Sequence, residues 1–132
     1  MSLAIEILGC GSSRGVPGVG GPDGAGDWGS CDPNEPKNRR SRCSALIRRR
    51  SESGETRVLI DTSPDLRQQL IAARVDRLDA VLYTHDHADQ THGIDDLRPL
   101  AVFARRRIPV YLDDETSGEL GRRFRYCFEP AA

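Results

Sequence analysis

All three histidines of this 132-residue chain lie in one short stretch, "YTHDHADQTHG", Tyr83 to Gly93. His85, His87 and His92 fall within eight residues, with Asp86 and Asp89 between them. Imidazole nitrogens and carboxylate oxygens are the donors that zinc and similar divalent ions take up. His85 and His87 stand two apart, so an extended backbone points both rings to one side. Asp89 continues that side for a further step, or swings back if a turn begins after His87. Gly93 supplies backbone freedom just past the cluster. A solvated His/Asp turn is the competing reading. Against it, nitrogen and oxygen donors rarely crowd in an HxHxD spacing after a buried strand unless a metal is held there.

The elements that must position this cluster follow from patterning. "LDAVLYT" (78–84) is short and nearly all apolar, as expected of a strand buried on both faces. The cluster begins at its carboxyl end, where open α/β sheets place their sites. "LAIEILG" (3–9) alternates apolar and polar residues and reads as a strand. Cys10 to Asn38 is rich in Gly, Pro, Asp, Asn and Ser and reads as a long irregular loop. "RCSALIRRR" (42–50) and "TRVLIDT" (56–62), joined by the turn "SESGE", read as a hairpin. In "SPDLRQQLIAARV" (63–75) Ser63 suits a helix N-cap, Pro64 the first helical position and Asp65 the positive N-terminal end. "IDDLRPLAVFARR" (94–106) reads as a helix that Pro99 starts or kinks. "IPVYL" (108–112) reads as a strand and "DETSGELGRRFRYCFE" (114–129) as a final, glycine-interrupted helix. Strands alternating with helices after an opening hairpin predict an α/β class. Residues 1–132 read as a single domain, without repeats or a linker. "CFEPAA" stops after a helix with no closing strand, so the domain reads as the N-terminal part of a longer fold.

Composition removes other classes. The formal net charge is −1, which gives no strong nucleic-acid or membrane signal. Of nineteen basic residues, Lys37 is the lone lysine and the other eighteen are arginine. Arginine suits bidentate contact with phosphate or carboxylate, although a genome-wide arginine bias needs no site. No long uncharged apolar run offers a membrane span, and "MSLAIEILGCG" lacks the basic start and apolar core of a signal peptide. Cys10, Cys31, Cys43 and Cys127 are scattered, with no CxxC pair. They read as reduced thiols of a cytoplasmic protein.

"THDHADQTHG" closely resembles the HxHxDHxxG signature of the metallo-β-lactamase fold hydrolases. "ILGCGSSRGVP", "CDPNEPKNRRSRCSALI", "VLIDTSPDLRQQL" and "HGIDDLRPL" extend the likeness over nearly the whole chain, toward the branch containing the PhnP-like cyclic phosphodiesterases. The resemblance implies the N-terminal part of an αββα sandwich, a mixed sheet flanked by helices, and up to two zinc or manganese ions. His85 and His87 match ligands of the first metal and Asp89 a ligand of the second. Asp61 matches a buried aspartate that supports the site, while its local alternative is a helix or turn cap. Asp89 and Asp61 are thus the carboxylates expected to serve catalysis.

Two departures stand out. Gln90 occupies the position of a histidine ligand of the second metal, and a neutral carbonyl oxygen is a poorer zinc donor than imidazole. Either that site is weak, or His92 substitutes as a ligand, or one metal binds. The alternative reading of His92 is a structural hydrogen bond beside Asp95 or Asp96. No histidine follows His92, although the family's later ligands lie in the C-terminal half of its fold.

The implied function is a metal-dependent phosphodiesterase that attacks a small, cyclic phosphodiester through a metal-bound hydroxide. Lys37 stands beside Arg39, Arg40 and Arg42 before a strand, and these three arginines are candidate phosphate contacts; a solvated basic turn is the alternative. Arg48–Arg50 and Arg105–Arg107 read as solvent-facing or helix-terminal charge. "GCGSSRGVPGVGG" fits neither phosphate-loop nor dinucleotide spacing, and Cys31 alone does not make a structural zinc site. Two alternatives stand beside the phosphodiesterase: a thioester or lactone hydrolase on the same fold, and a truncated, catalytically incompetent binding module. Half a sandwich would expose apolar sheet, so a homodimer is a further expectation.

Overall fold

Leu46, Leu59 and Val81 have no solvent exposure and sit side by side on three neighbouring strands. Around this row the computed structural model, which describes residues 1–130, builds a five-stranded mixed sheet in the order β1-β2-β3-β4-β5. Strand β1 spans Ser2–Gly9, β2 Ser44–Ser51 and β3 Gly54–Ile60, and these three run antiparallel. Strands β4, Ala80–Leu82, and β5, Val110–Tyr111, continue the sheet in parallel with β3. Parallel neighbours need a crossover. Helix α1, Leu66–Ala72, joins β3 to β4. Helices α2, Ala88–Thr91, and α3, Arg98–Ala104, join β4 to β5. Helices α4, Asp114–Arg123, and α5, Arg125–Phe128, follow. This is the α/β class expected, a mixed sheet whose parallel strands are joined by helices.

The hairpin turn is tighter than "SESGE" suggests. Ser51 pairs with Gly54, leaving the two-residue loop Glu52–Ser53, and Gly54 takes φ 126°, a backbone region open to glycine. Strands β4 and β5 are each shorter than the apolar runs 78–84 and 108–112 that predict them. Helix α1 starts two residues later than the cap signal implies. Ser63 still serves its start: its hydroxyl accepts from the Asp65 N–H at 3.1 Å and its carbonyl from the Leu66 N–H at 3.0 Å. The run 94–106 divides into a 3-10 turn, Ile94–Leu97, and α3, with Pro99 in the first turn of α3, where its missing N–H costs nothing. The last helix breaks at Phe124 (φ −123°, ψ 42°), and Gly118 and Gly121 lie inside α4.

The two faces of the sheet differ. Leu66 and Leu70 of α1, with Leu78, Tyr83, Ile94, Leu97 and Leu120, close over the Leu46–Leu59–Val81 row. Fully burying each such leucine is worth roughly 1.5–3 kcal/mol. Farther along this face Arg48 and Arg57 flank Glu55. Arg48 also reaches Glu6 and donates to the Ala73 carbonyl just past α1, at 3.0 Å. Of the two readings, solvent-facing or helix-terminal charge, Arg48 follows the second at the end of α1, and only aligned strands bring a carboxylate and that helix end to it. On the opposite face Leu3, Ile5 and Ile7 are 68%, 64% and 63% exposed. The ladder carries that face into Ile47, Val58 and Ile60, which are half-buried.

Hydrogen bonds from Arg57, then Arg50, hold the Glu55 carboxyl down to about 2, against an ordinary 4.5. Because the folded value is the lower one, the contribution is complete above about 4.5 and fades as pH falls toward 2. Denaturant unfolding of Glu55→Gln should show a loss at neutral pH that disappears near pH 2; a loss of equal size at both would refute the ion-pair account. A second copy of the chain, the partner expected from the sequence, would cover the bare face. In sedimentation such a dimer should dissociate on Ile5→Lys, whereas a monomeric parent chain ends that expectation.

Candidate functional site

Strand β3 ends at Ile60, and Asp61 follows it as a non-glycine residue at φ 60°. Aspartate enters this left-handed region more readily than most residues because its short polar side chain bonds locally. Here it bonds across to the neighbouring strand end. Oδ1 accepts the Thr84 N–H at 2.8 Å and Oδ2 accepts the Thr84 hydroxyl at 2.7 Å. Asp61 also donates its own N–H to the Leu82 carbonyl at 2.8 Å. It caps no helix; it fastens the residue before His85. Asp61 is 4% exposed. Burial pushes its pKa above the usual carboxylate value, opposed by the two Thr84 hydrogen bonds and by His85, and reinforced by the charge of Asp89.

Beyond β4 the chain bends at Thr84, passes through His85 to His87 without regular structure and enters α2 at Ala88. The His85 and His87 rings meet edge-on, 4.6 Å between centroids, as their two-residue spacing requires. His87 precedes α2 and its carbonyl accepts from the Gln90 N–H at 3.0 Å and the Thr91 hydroxyl at 2.9 Å. Of the two paths open to Asp89, the turn is the one taken: Asp89 lies in the first turn of α2. Gln90 is almost buried. Its side-chain amide donates to Asp89 Oδ2 at 3.1 Å and its main-chain carbonyl accepts from the Thr62 N–H at 2.8 Å. His92 ends α2, and its ring lies edge-on to Phe124 at 5.5 Å. It does not pair with Asp95, which accepts from the Tyr126 hydroxyl at 2.8 Å.

The donor types suit zinc, but a catalytic zinc takes three protein ligands. Among the described residues no three His, Cys, Asp or Glu side chains converge to hold an ion. His85 and His87 are brought together; Asp89 and His92 do not complete a set with them. The reason is α2, whose start at Ala88 turns Asp89 toward Gln90 and carries His92 one helical turn away onto Phe124. Of the four expected ligands, His85 and His87 are the two whose rings stand in contact.

Several supports carry no obvious sequence signal. The Thr62 hydroxyl donates to the Thr91 carbonyl at 3.1 Å, so the Tyr83 hydroxyl, 2.8 Å away, must donate to Thr62. Arg123, from α4, donates to the Asp86 carbonyl at 2.7 Å and pairs with the Asp86 carboxylate at 3.0 Å. It clamps the loop between the two histidines across 37 positions of sequence. Thr84 alone had a signal, its adjacency to HxH.

The three candidate arginines divide. Arg42 binds Asp65 through its main-chain N–H at 2.8 Å and through Nε and Nη2 at 2.8 and 2.9 Å. That pairing raises the Arg42 pKa and lowers that of Asp65. Asp65 thus serves Arg42 rather than the start of α1. Arg39 lies over the Trp28 ring, 5.2 Å from its centroid. Arg40 is exposed and donates to Cys10 Sγ at 3.1 Å.

Gly93 has φ near −88°, so backbone freedom is not its purpose. A Cβ there would lie 1.9 Å from the Ser63 carbonyl oxygen. Its N–H also donates to the Thr62 carbonyl at 3.0 Å. The glycine lets the end of α2 dock against the turn after β3. Gly93→Ala should destabilise the chain by about 1–3 kcal/mol or more, the usual cost of overpacking, as read by thermal unfolding. An unchanged midpoint would show that this docking is dispensable.

The family model for the beta-lactamase superfamily domain matches residues 56–132. A diphosphatase of the PhnP family superposes with a TM-score of 0.79 at 34% identity, over 96% of this chain and 49% of that one. The metallo-β-lactamase fold protein YhfI from Bacillus subtilis superposes at 0.57 with 17% identity, over 91% of this chain and 42% of its own. Zinc-bound PqqB from Methylobacterium extorquens does so at 0.50 with 22% identity, over 83% and 44%; these two bear on the fold alone. An octanoyltransferase of Porphyromonas gingivalis (strain ATCC BAA-308 / W83) is 39% identical over 122 residues, 92% of this chain and 23% of the relative. The chain thus spans less than half the length of each of these four proteins. With the "VLID" strand end, the HxHxD loop and the mixed sheet all in place, the chain belongs to the beta-lactamase superfamily, within its metallo-β-lactamase fold and on the PhnP-like branch.

Proposed function

We propose that this chain supplies the N-terminal half of a metal-dependent phosphodiesterase acting on small phosphodiesters. The observation that carries the reading is the His85–His87 pair at the carboxyl end of β4. It is held from below by Asp61 and Thr84. Two imidazoles held side by side at the end of a parallel strand are one half of what a divalent ion needs. The phosphorus-ester class is supported by the 34% identity to a PhnP-family diphosphatase across 96% of the chain. Arg39 and Arg40 are the candidate phosphate contacts. Arg42 is already committed to Asp65 and acts on this reading by holding the segment that presents the other two. Zinc is the preferred ion, on the strength of the nitrogen donors, and manganese the alternative. Asp89 is a second-ion donor on this reading, with Gln90 weakening that second position.

A thioester or acyl-ester hydrolase is the second reading, favoured by one observation, the 39% identity to an octanoyltransferase. That match covers 23% of the relative, so its named activity has ample room outside the shared segment.

Metal analysis of the purified, zinc-equilibrated chain, beside His85→Ala/His87→Ala, tests the metal. Zinc should be retained by the parent and lost by the double variant; a parent below ~0.1 ions per chain ends the metal reading. Bis-p-nitrophenyl phosphate and an acyl thioester then separate the classes. Cleavage of the diester supports the proposal, and cleavage of the thioester alone transfers it to the second reading. Zinc retention with neither activity means that the donors outside these residues are indispensable and that the chain alone is a binding module.

A further inference from the structure

The hydroxyl of Thr84 sits between two groups that both accept. It lies 2.7 Å from Asp61 Oδ2 on one side and 2.8 Å from His85 Nδ1 on the other. A hydroxyl has one proton to give and lone pairs to receive with. Asp61 Oδ1 is already occupied by the Thr84 N–H at 2.8 Å, so both carboxylate oxygens act as acceptors toward the same residue. The Thr84 proton therefore goes to Oδ2, and the Thr84 oxygen can only accept from the imidazole. We propose that Thr84 is a positioning residue that, in series with Asp61, fixes His85 as the Nδ1–H tautomer and leaves its Nε2 lone pair bare. This is the reverse of the tautomer a free neutral imidazole side chain prefers, so the relay works against an intrinsic bias.

The other two histidines are built-in controls. Among the described residues no hydrogen bond reaches the ring nitrogens of His87 or His92; His87 touches the His85 ring and His92 the edge of Phe124. The relay also gives a purpose to Asp61's left-handed backbone. That conformation brings one carboxylate across to Thr84 with both oxygens engaged, one on the main chain and one on the side chain. Metal-binding histidines commonly have their second ring nitrogen fixed by a carboxylate or carbonyl. Here a threonine stands between the ring and the carboxylate, so the direction of one hydroxyl decides which nitrogen is available to a cation. What that nitrogen is for rests on the function proposed above; the tautomer itself does not.

The test reads the tautomer directly, in the metal-free chain, by long-range proton–nitrogen correlation at a pH where the imidazoles are neutral. His87→Gln and His92→Gln variants assign the signals. His85 should show a protonated, pyrrole-type Nδ1 and a bare, pyridine-type Nε2, unlike His87. Thr84→Ser, which keeps the hydroxyl, should preserve this pattern, and Thr84→Val should return His85 to the pattern of His87. Asp61→Asn is the decisive variant. Asparagine tolerates the same backbone region. Its oxygen must face the Thr84 N–H, so its amide nitrogen faces the Thr84 hydroxyl and turns that proton toward His85. The tautomer should invert. If His85 in the parent resembles His87, or if Asp61→Asn leaves it unchanged, the proposal is overturned; should Thr84→Val fail to fold, the parent, serine and asparagine spectra decide. Zinc titration of the same samples is read separately. Inversion with zinc binding weakened ~10–100-fold supports both this proposal and the ligand role of His85. Inversion with zinc binding unchanged supports the relay and removes His85 from the ligand set.

Discussion

One buried carboxylate organises the functional edge of this molecule. Asp61 closes β3 in a left-handed conformation and spends both oxygens on Thr84, at the end of the adjacent parallel strand. Parallel strands whose ends are tied in this way present consecutive loops at one edge, and the HxHxD loop is the loop so presented. The next residue, Thr62, extends the tie: its N–H reaches the Gln90 carbonyl and its carbonyl takes the Gly93 N–H. The turn after β3 and the helix after His87 are thus one hydrogen-bonded unit, and it closes only because position 93 has no side chain. An unpaired carboxylate at this depth would be costly. Among the described residues no buried side-chain polar atom lacks a partner.

The sheet beneath this edge divides its labour. Its inner row of leucines and valine supplies the burial that holds α1 in place, and the far end of the same face is sealed by arginine–carboxylate contacts instead of apolar packing. The other face leaves Leu3, Ile5 and Ile7 open. An isolated domain seldom leaves so continuous an apolar strip uncovered.

Arginine is used here chiefly as a structural cation. Arg42 locks Asp65, Arg48 and Arg57 share Glu55, Arg77 and Arg106 share Asp79, and Arg123 grips the loop between His85 and His87. A planar guanidinium with several donors can bridge two elements where a lysine would hold one. The arginine-rich composition therefore says more about how the domain is braced than about its substrate. Of the segment 39–42, two arginines keep their guanidinium groups out of carboxylate pairs.

Much was legible in the amino-acid order, because local pattern and local chemistry coincide there. The alternation of "LAIEILG", the apolar run of "LDAVLYT" and the HxHxD spacing each depend on neighbours a few positions apart. They suffice for the α/β class, the strand that carries the cluster and the pairing of His85 with His87. Boundaries were less legible: the break at Phe124 and the late start of α1 answer to packing and to Ser63's own hydrogen bonds. Three things belonged to the tertiary structure alone. Gly93 reads as a flexible residue in sequence and proves to be a point of backbone contact with Ser63. Asp65 reads as helix-terminal charge and proves to be Arg42's partner. Asp61 reads equally as a cap or a support until the strand end beside it is in place. In each case the deciding partner lies 23 to 30 positions away. Spacing along the chain can specify which donors exist, but which of them meet is decided by where separate strands end.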